Sequence, residues 1–326
     1  MTWMITGGAG YIGSHVVKAM ADGGERVVVL DDLSTGDPAR LPAGVPLERG
    51  SVLDGELVAR VLRDHAVDGI VHVAGKKQVG ESVERPLHYY RENVTGLQTL
   101  LEAAAGVGVR RFLFSSSAAV YGMPDVDLVT ESTECLPMSP YGETKRAGEW
   151  LVRATGRAHG MATASLRYFN VAGAVSPELG DPGVSNLVPM VFERLDRGER
   201  PLVFGDDYAT PDGTCVRDYI HVEDIASAHL AAAGRLAEDP AAELVLNIGR
   251  GEGVSVAEMI RLIREVTGHA DTEPEIAPRR PGDPARVVAS ADLIRQELGW
   301  TARHDVRRMV ESAWQGWRLR HPDPRG

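Results

Sequence analysis

The stretch ITGGAGYIGSH, residues 5–15, limits the fold more than any other part of the chain. It continues straight from the short run WMIT (3–6), and its glycines Gly7, Gly10 and Gly13 recur every three residues as a helical pattern opens. Glycine at such places permits a tight turn, a close backbone approach to a pyrophosphate, and close packing of helix on strand. The helix N-terminus that follows offers amide donors and a positive dipole to phosphates. A plain strand–helix turn also favours glycine, so the surrounding pattern has to decide.

That pattern is repetitive. Strand-like runs return at RVVVL (26–30), GIVHV (69–73), RFLFSS (111–116) and ASLRY (164–168), with helical stretches near 11–23, 55–65, 86–106 and 140–158. Alternating β and α units predict an α/β fold, a Rossmann-type doubly wound parallel sheet covered on both faces. Leu97, Leu100, Leu101 and Ala104 keep the i, i+3, i+4, i+7 spacing of a buried helical face. Such a stripe fits packing on the sheet and equally fits contact with a second subunit. Beyond residue 172 the chain turns irregular and rich in Gly and Pro, which predicts a smaller substrate domain over 173–326 beside a nucleotide-binding domain over 1–172. The segment 218–245 is expected to return to the first domain, so the two are interleaved.

Composition excludes several classes. A formal net charge of −11 argues against a nucleic-acid backbone or an anionic membrane as the main partner. No apolar run approaches the roughly 18 residues of a spanning helix, and the first residues lack the basic region of a signal peptide. Cys135 and Cys215 are the only cysteines, which fits a reducing cytoplasm. The ten histidines are scattered without metal-ligand spacing, and no metal site is expected.

The second strand-like run ends in LDDLSTG. Asp31 follows Gly13 by about 18 residues, close to the spacing of the carboxylate that binds adenosine ribose hydroxyls. Its charge would repel a 2′-phosphate, so the cofactor expected is NAD; Asp32 competes for the role. Further on, SPYGETK places Tyr141 and Lys145 four apart on one helical face. A lysine charge beside a tyrosine favours its phenolate, the form that acts as a base. Chance also produces such pairs. The serine run of FSSSAAVYG (114–122), closing a strand some two dozen residues earlier, offers a hydroxyl beside the tyrosine.

These stretches, with VHVAGKKQVGES, YYRENVTG, LRYFNVAGA, SNLVPM, GTCVRDYIHV and APRRPGD, run in order from residue 6 to 283. The sequence resembles the UDP-glucose 4-epimerase branch of the extended short-chain dehydrogenase/reductase family. The resemblance implies epimerisation at C4 of a UDP-hexose with resident NAD, and a catalytic set of Ser117, Tyr141 and Lys145. It implies cofactor contacts from Tyr11, Ile12, Asp31, Ser51, Val52, Lys77, Asn93 and Phe169. It assigns the UDP-sugar to Asn170, Asn186, Leu187, Phe204, Arg217, Arg280 and Asp283, and it implies a homodimer built on the helices of 86–106 and 140–158. Two positions depart from the pattern. Ser51 stands where the family usually has an aspartate for the adenine amino group. Val287 stands where epimerases of plain hexoses have a tyrosine, which leaves room for an N-acetyl group at C2; a slip of one residue would put Arg286 there instead. A 4,6-dehydratase is disfavoured because the serine run holds no carboxylate. A 4-ketoreductase and a non-catalytic NAD-sensing protein are the remaining alternatives.

Overall fold

The computed structural model describes residues 1–280 and 282–322; Pro281, inside the expected RRPGD motif, and residues 323–326 lie outside them. The first half runs β1 (Thr2–Thr6), α1 (Tyr11–Asp22), β2 (Arg26–Asp31), β3 (Leu47–Arg49), α2 (Gly55–Asp64), β4 (Gly69–His72), α3 (Val79–Glu84), α4 (Pro86–Tyr89), α5 (Gly96–Val107), β5 (Arg111–Ser117), α6 (Pro140–His159) and β6 (Ala162–Tyr168). It continues with β7 (Asn170–Ala172), α7 (Leu187–Asp196), β8 (Leu202–Phe204), β9 (Val216–His221), α8 (Val222–Glu238) and β10 (Glu243–Ile248). Last come β11 (Gly253–Ser255), α9 (Val256–Thr267), β12 (Glu275–Ala277), β13 (Arg286–Val287), α10 (Asp292–Leu298) and α11 (Val306–Arg320).

Seven parallel strands form the large sheet in the order β10-β6-β5-β4-β1-β2-β3. The two-residue period of a strand sends alternate side chains to opposite faces. Trp3 and Ile5 therefore join Val16, Val17 and Met20 of α1 and Ile225, Ala228 and Ala232 of α8. Met4 joins Val58 and Val61 of α2 and the leucines of α5 on the other face. Leu97, Leu100, Leu101 and Ala104 are all buried there against Ile70 and Phe112, so the apolar stripe packs on the sheet and does not face a partner.

The structure departs from the sequence reading in three places. The long helix expected over 86–106 is broken: α4 and α5 are joined by a wide π-type turn over Tyr90–Thr95. The strand at 216–221 does not enter the large sheet; β9 pairs with β7, β11 and β13 in a small one. The very next residues form α8, which packs on α1, and β10 then closes the edge of the large sheet beside β6. Finally, β3 is missing from the strand-like runs of the sequence, because three half-exposed residues give no hydrophobic period. A third apolar cluster, with Phe192 of α7, Ile263 of α9 and Trp317 of α11, lies beneath the small sheet.

Candidate active site

All strands of the large sheet point the same way, so their C-terminal ends share one rim, the usual place for a ligand in such folds. β1 reaches it at Thr6 and turns on Gly7, whose φ of +69° suits glycine. A Cβ on Gly7 would lie 2.7 Å from the Ala74 amide nitrogen, and one on Gly13 only 2.0 Å from the Gly7 carbonyl oxygen. Gly10 caps α1 and donates its N–H to the Gly7 carbonyl at 3.1 Å. The turn is thus a bare cradle at a helix N-terminus, which fits the pyrophosphate of a dinucleotide. Asp31 closes β2 on the same rim, buried, accepting the amides of Ala9 at 2.9 Å and Leu33 at 2.8 Å. Burial lifts its carboxyl above the ordinary value while those two amides oppose the shift. Asp32 instead accepts the Ser34 amide on the exposed side of the turn.

The remaining residues expected at the cofactor are more dispersed. Tyr11 spends its hydroxyl on the Gly173 carbonyl at 2.6 Å, tying α1 to the chain after β7, while Ile12 packs into the core. Ser51 accepts the Leu53 amide at 3.2 Å within its own turn, and Val52 touches the α2–α5 cluster. Asn93, carried on the π-type turn, is buried and clamps the Lys76 backbone from both sides, at 2.8 Å and 3.0 Å. Lys77 beside it is exposed.

Ser117, Tyr141 and Lys145 do converge. Ser117 ends β5, Ser139 caps α6 by accepting the Gly142 amide, and Pro140 occupies the first helical turn, so Tyr141 starts the helix at the strand end. Ser117 stands beside Tyr141 and accepts the Ala119 amide at 3.2 Å; burial raises the Tyr141 phenol above its ordinary value and the neighbouring serine hydroxyl lowers it again. Lys145 Nζ lies 5.9 Å from the Tyr141 ring centroid and donates to the Ser115 carbonyl at 2.8 Å. Burial brings its ammonium down to about 8, with Glu149 opposing. Gly75 joins trio and cradle: a Cβ there would lie 3.8 Å from Lys145 Nζ, one residue after the Ala74 that crowds Gly7.

The residues expected at the UDP-sugar gather in two groups. Arg280 stacks on Phe204, 3.7 Å from guanidinium carbon to ring centroid, and Arg217 on β9 reaches Asp283 at 3.3 Å. The two pairs meet where the Asp283 amide donates to the Arg280 carbonyl. Val287 pairs with Arg217 across β13 and β9 and is buried among Val120, Tyr121, Val129, Phe169 and Ala289. Arg286 turns outward and donates to the Asp127 carbonyl, so it is Val287 that shares the apolar cluster with Phe169. Asn186 caps α7 without bonding its first turn, Leu187 leans on the third cluster, and Asn170 is exposed on β7.

Residues 3–249 match the model of the NAD dependent epimerase/dehydratase family. The chain belongs to that family. It is 46% identical over 331 residues to a UDP-glucose 4-epimerase of Streptomyces lividans, covering 99% of each chain. It is 46% identical over 307 residues to a UDP-glucose 4-epimerase of Azospirillum brasilense, covering 93% of this chain and 87% of the relative. Among solved structures it superposes, with a TM-score of 0.93 at 39% identity, on a UDP-glucose-4-epimerase from Stenotrophomonas maltophila with bound NAD and formylated UDP-arabinopyranose, covering 98% and 99% of the two chains.

Sequence reasoning missed a buried polar network behind the trio of this epimerase/dehydratase-family chain. Arg167 of β6 forks onto Glu149 of α6 with two bonds of 2.7 Å, and the carboxylate also accepts from Ser116 at 2.6 Å and Arg146 at 2.8 Å. Arg167 donates onward to Tyr121, whose hydroxyl donates to Asn247 of β10. The only available signal was spacing, since Glu149 repeats the Tyr141–Lys145 step once more along α6. One cluster among the described residues has metal-ligand proximity: His221, Glu223 and His304. Both ring nitrogens of His221 are engaged there, Nδ1 accepting the Glu223 amide and Nε2 meeting Ser312 Oγ at 3.0 Å, which leaves no lone pair for a cation. No helix among the described residues is long and apolar enough to cross a membrane.

Proposed function

We propose that the protein catalyses NAD-dependent epimerisation at C4 of a UDP-hexose, interconverting UDP-glucose and UDP-galactose through a transient 4-keto sugar, with N-acetylated forms as further substrates. The convergence of Ser117, Tyr141 and Lys145 on the rim that holds the glycine cradle carries this reading. NAD bound in this cradle would supply a reversible hydride acceptor for C4, and none would be consumed. Tyr141 accepts the proton of the 4-hydroxyl as C4 is oxidised and gives it back on reduction. Ser117 holds the same sugar oxygen, and the Lys145 charge favours the phenolate. Asp31 and the cradle of Gly7, Gly10 and Gly13 hold the dinucleotide.

Arg217 and Arg280 supply planar donor forks for the diphosphate, and Val287, smaller than tyrosine, leaves space beside C2 of the sugar. In this division of labour residues 1–172 with the returning segment bind NAD, and the rest of 173–326 binds the sugar nucleotide. The protein works in the cytoplasm as a homodimer: Val83, Leu87 and Trp150 expose 62%, 83% and 52% of their surface on α3, α4 and α6.

Incubation of the purified protein with UDP-galactose, and separately with UDP-N-acetylgalactosamine, without added NAD tests the reading. Formation of the gluco epimers is expected. A 4-ketoreductase would instead consume reduced cofactor in step with product. Tyr141→Phe should lower turnover by roughly two to four powers of ten while NAD stays bound; near-normal turnover would remove Tyr141 as the base.

A further inference from the structure

Each serine of the run 115–117 has a different partner, and the middle one faces away from the chemistry. The Ser115 carbonyl holds Lys145, and the Ser117 hydroxyl, which accepts the Ala119 amide at the strand end, stands beside Tyr141. Ser116 Oγ donates to Glu149 Oε1 at 2.6 Å, inside the carboxylate–guanidinium pair formed with Arg167. Glu149 and Arg167 expose only 4% and 2% of their surface, and four donors saturate the carboxylate. A buried ion pair is poor evidence of stabilisation, since apolar residues of equal volume often serve as well; it is better suited to fixing geometry. Here the geometry it fixes is the end of β5 against the first turns of α6, the two elements that carry the trio.

We propose that Glu149, paired with Arg167, is a positioning residue of the epimerase reaction: through Ser116 it sets the register of Ser117 against Tyr141 and of the Ser115 carbonyl against Lys145. The network also leaves the site in the other direction. Arg167 Nη1 donates to Tyr121 Oη at 2.7 Å, and the Tyr121 ring stands 6.5 Å from Phe169 in the cluster that includes Val287. One rigid polar frame therefore spans the proton-transfer end of the site and the wall expected to face the sugar. The proposal rests on the epimerase reading for its effect on turnover and on nothing but the structure for its effect on Tyr141.

Ser116→Ala removes the link without changing a charge, and Glu149 keeps three donors from two arginines. The ultraviolet absorbance of the phenolate is titrated in the NAD-loaded enzyme, and the same titration in a Tyr141→Phe background is subtracted to isolate Tyr141. Tyr141 faces Ser117 and Lys145, with Tyr89 and Tyr168 close enough to feel its charge and His72 beside Lys145. Loosening Ser117 beside Tyr141 withdraws the hydroxyl that favours the phenolate and should raise the Tyr141 midpoint by about 0.5–1 unit. In parallel, kcat for UDP-galactose should fall about three- to tenfold with KM unchanged, the sign of a lost transition-state interaction.

Glu149→Gln combined with Arg167→Met removes both charges together and should displace the midpoint in the same direction if Ser116→Ala proves insoluble. An unmoved midpoint overturns the proposal, even if the melting temperature changes. So does an unmoved kcat in an enzyme that epimerises. If the wild type turns over no UDP-hexose, the epimerase reading fails, and the titration still decides whether Glu149 positions Tyr141.

Discussion

Lys145 carries the sharpest quantitative consequence of the site. Its ammonium is 7% exposed, and burial lowers it from 10.5 to about 8. The folded state therefore disfavours the charged form. Below about pH 8 the protein bears the full cost of a buried cation, and stability is regained as pH rises from about 8 toward 10.5. The whole shift corresponds to about 3 kcal/mol, of which about 2 kcal/mol is recovered between about pH 7 and pH 9.5. Lys145→Met keeps the bulk of the side chain and loses the charge. Other effects of the change, such as the lost bond to the Ser115 carbonyl, are independent of pH, so the difference between wild type and variant isolates the titration. Urea unfolding of both proteins with NAD removed, across that range, should show wild type gaining about 2 kcal/mol on the variant at the alkaline end. A gap constant within about 0.5 kcal/mol would refute the argument that burial, opposed by Glu149, governs this lysine.

Other consequences are simpler to state. Arg167→Met strands the Glu149 carboxylate without its main partner and should destabilise the fold by about 3–5 kcal/mol in denaturant unfolding, more than an ordinary core substitution. Gly13→Ala sets a methyl 2.0 Å from the Gly7 carbonyl oxygen, so the cradle must open. About 1–3 kcal/mol of stability should be lost, and NAD released on dilution should increase, as followed by cofactor content after gel filtration. Val287→Tyr should abolish conversion of UDP-N-acetylgalactosamine while sparing UDP-galactose; equal losses on both substrates would show that Val287 does not gauge the C2 substituent.

What could be read in the sequence was what local pattern encodes. Glycine spacing, strand runs and the Tyr141–Lys145 step are all short-range, and each reappears as a turn, a buried strand or a shared helical face. The four apolar residues of α5 were equally visible, but whether they met a sheet or a subunit was not, because period gives a face and not its neighbour. The Glu149–Arg167 pair was hidden for the same reason: a carboxylate on α6 and an arginine on β6 look like surface charges until the sheet stacks them. Asn93 was found only by resemblance, and the π-type turn that aims it at Lys76 leaves no mark in composition. The return of 218–245 to the first domain was legible, yet the small sheet that takes β9 was not, since β propensity does not name a pairing partner.

The edge strand β10 pairs with β6 although some 75 residues of α7, β8, β9 and α8 come between them in sequence. During synthesis the large sheet therefore waits with β6 as an open edge, and with the side of α1 that α8 covers bare, until residue 248 has left the ribosome. Exposed edges and apolar faces of that kind recruit chaperones and invite aggregation. A chain cut after residue 172 would be frozen in that unfinished state, so neither half of the molecule is a unit that an experimenter, or a recombination event, can lift out alone.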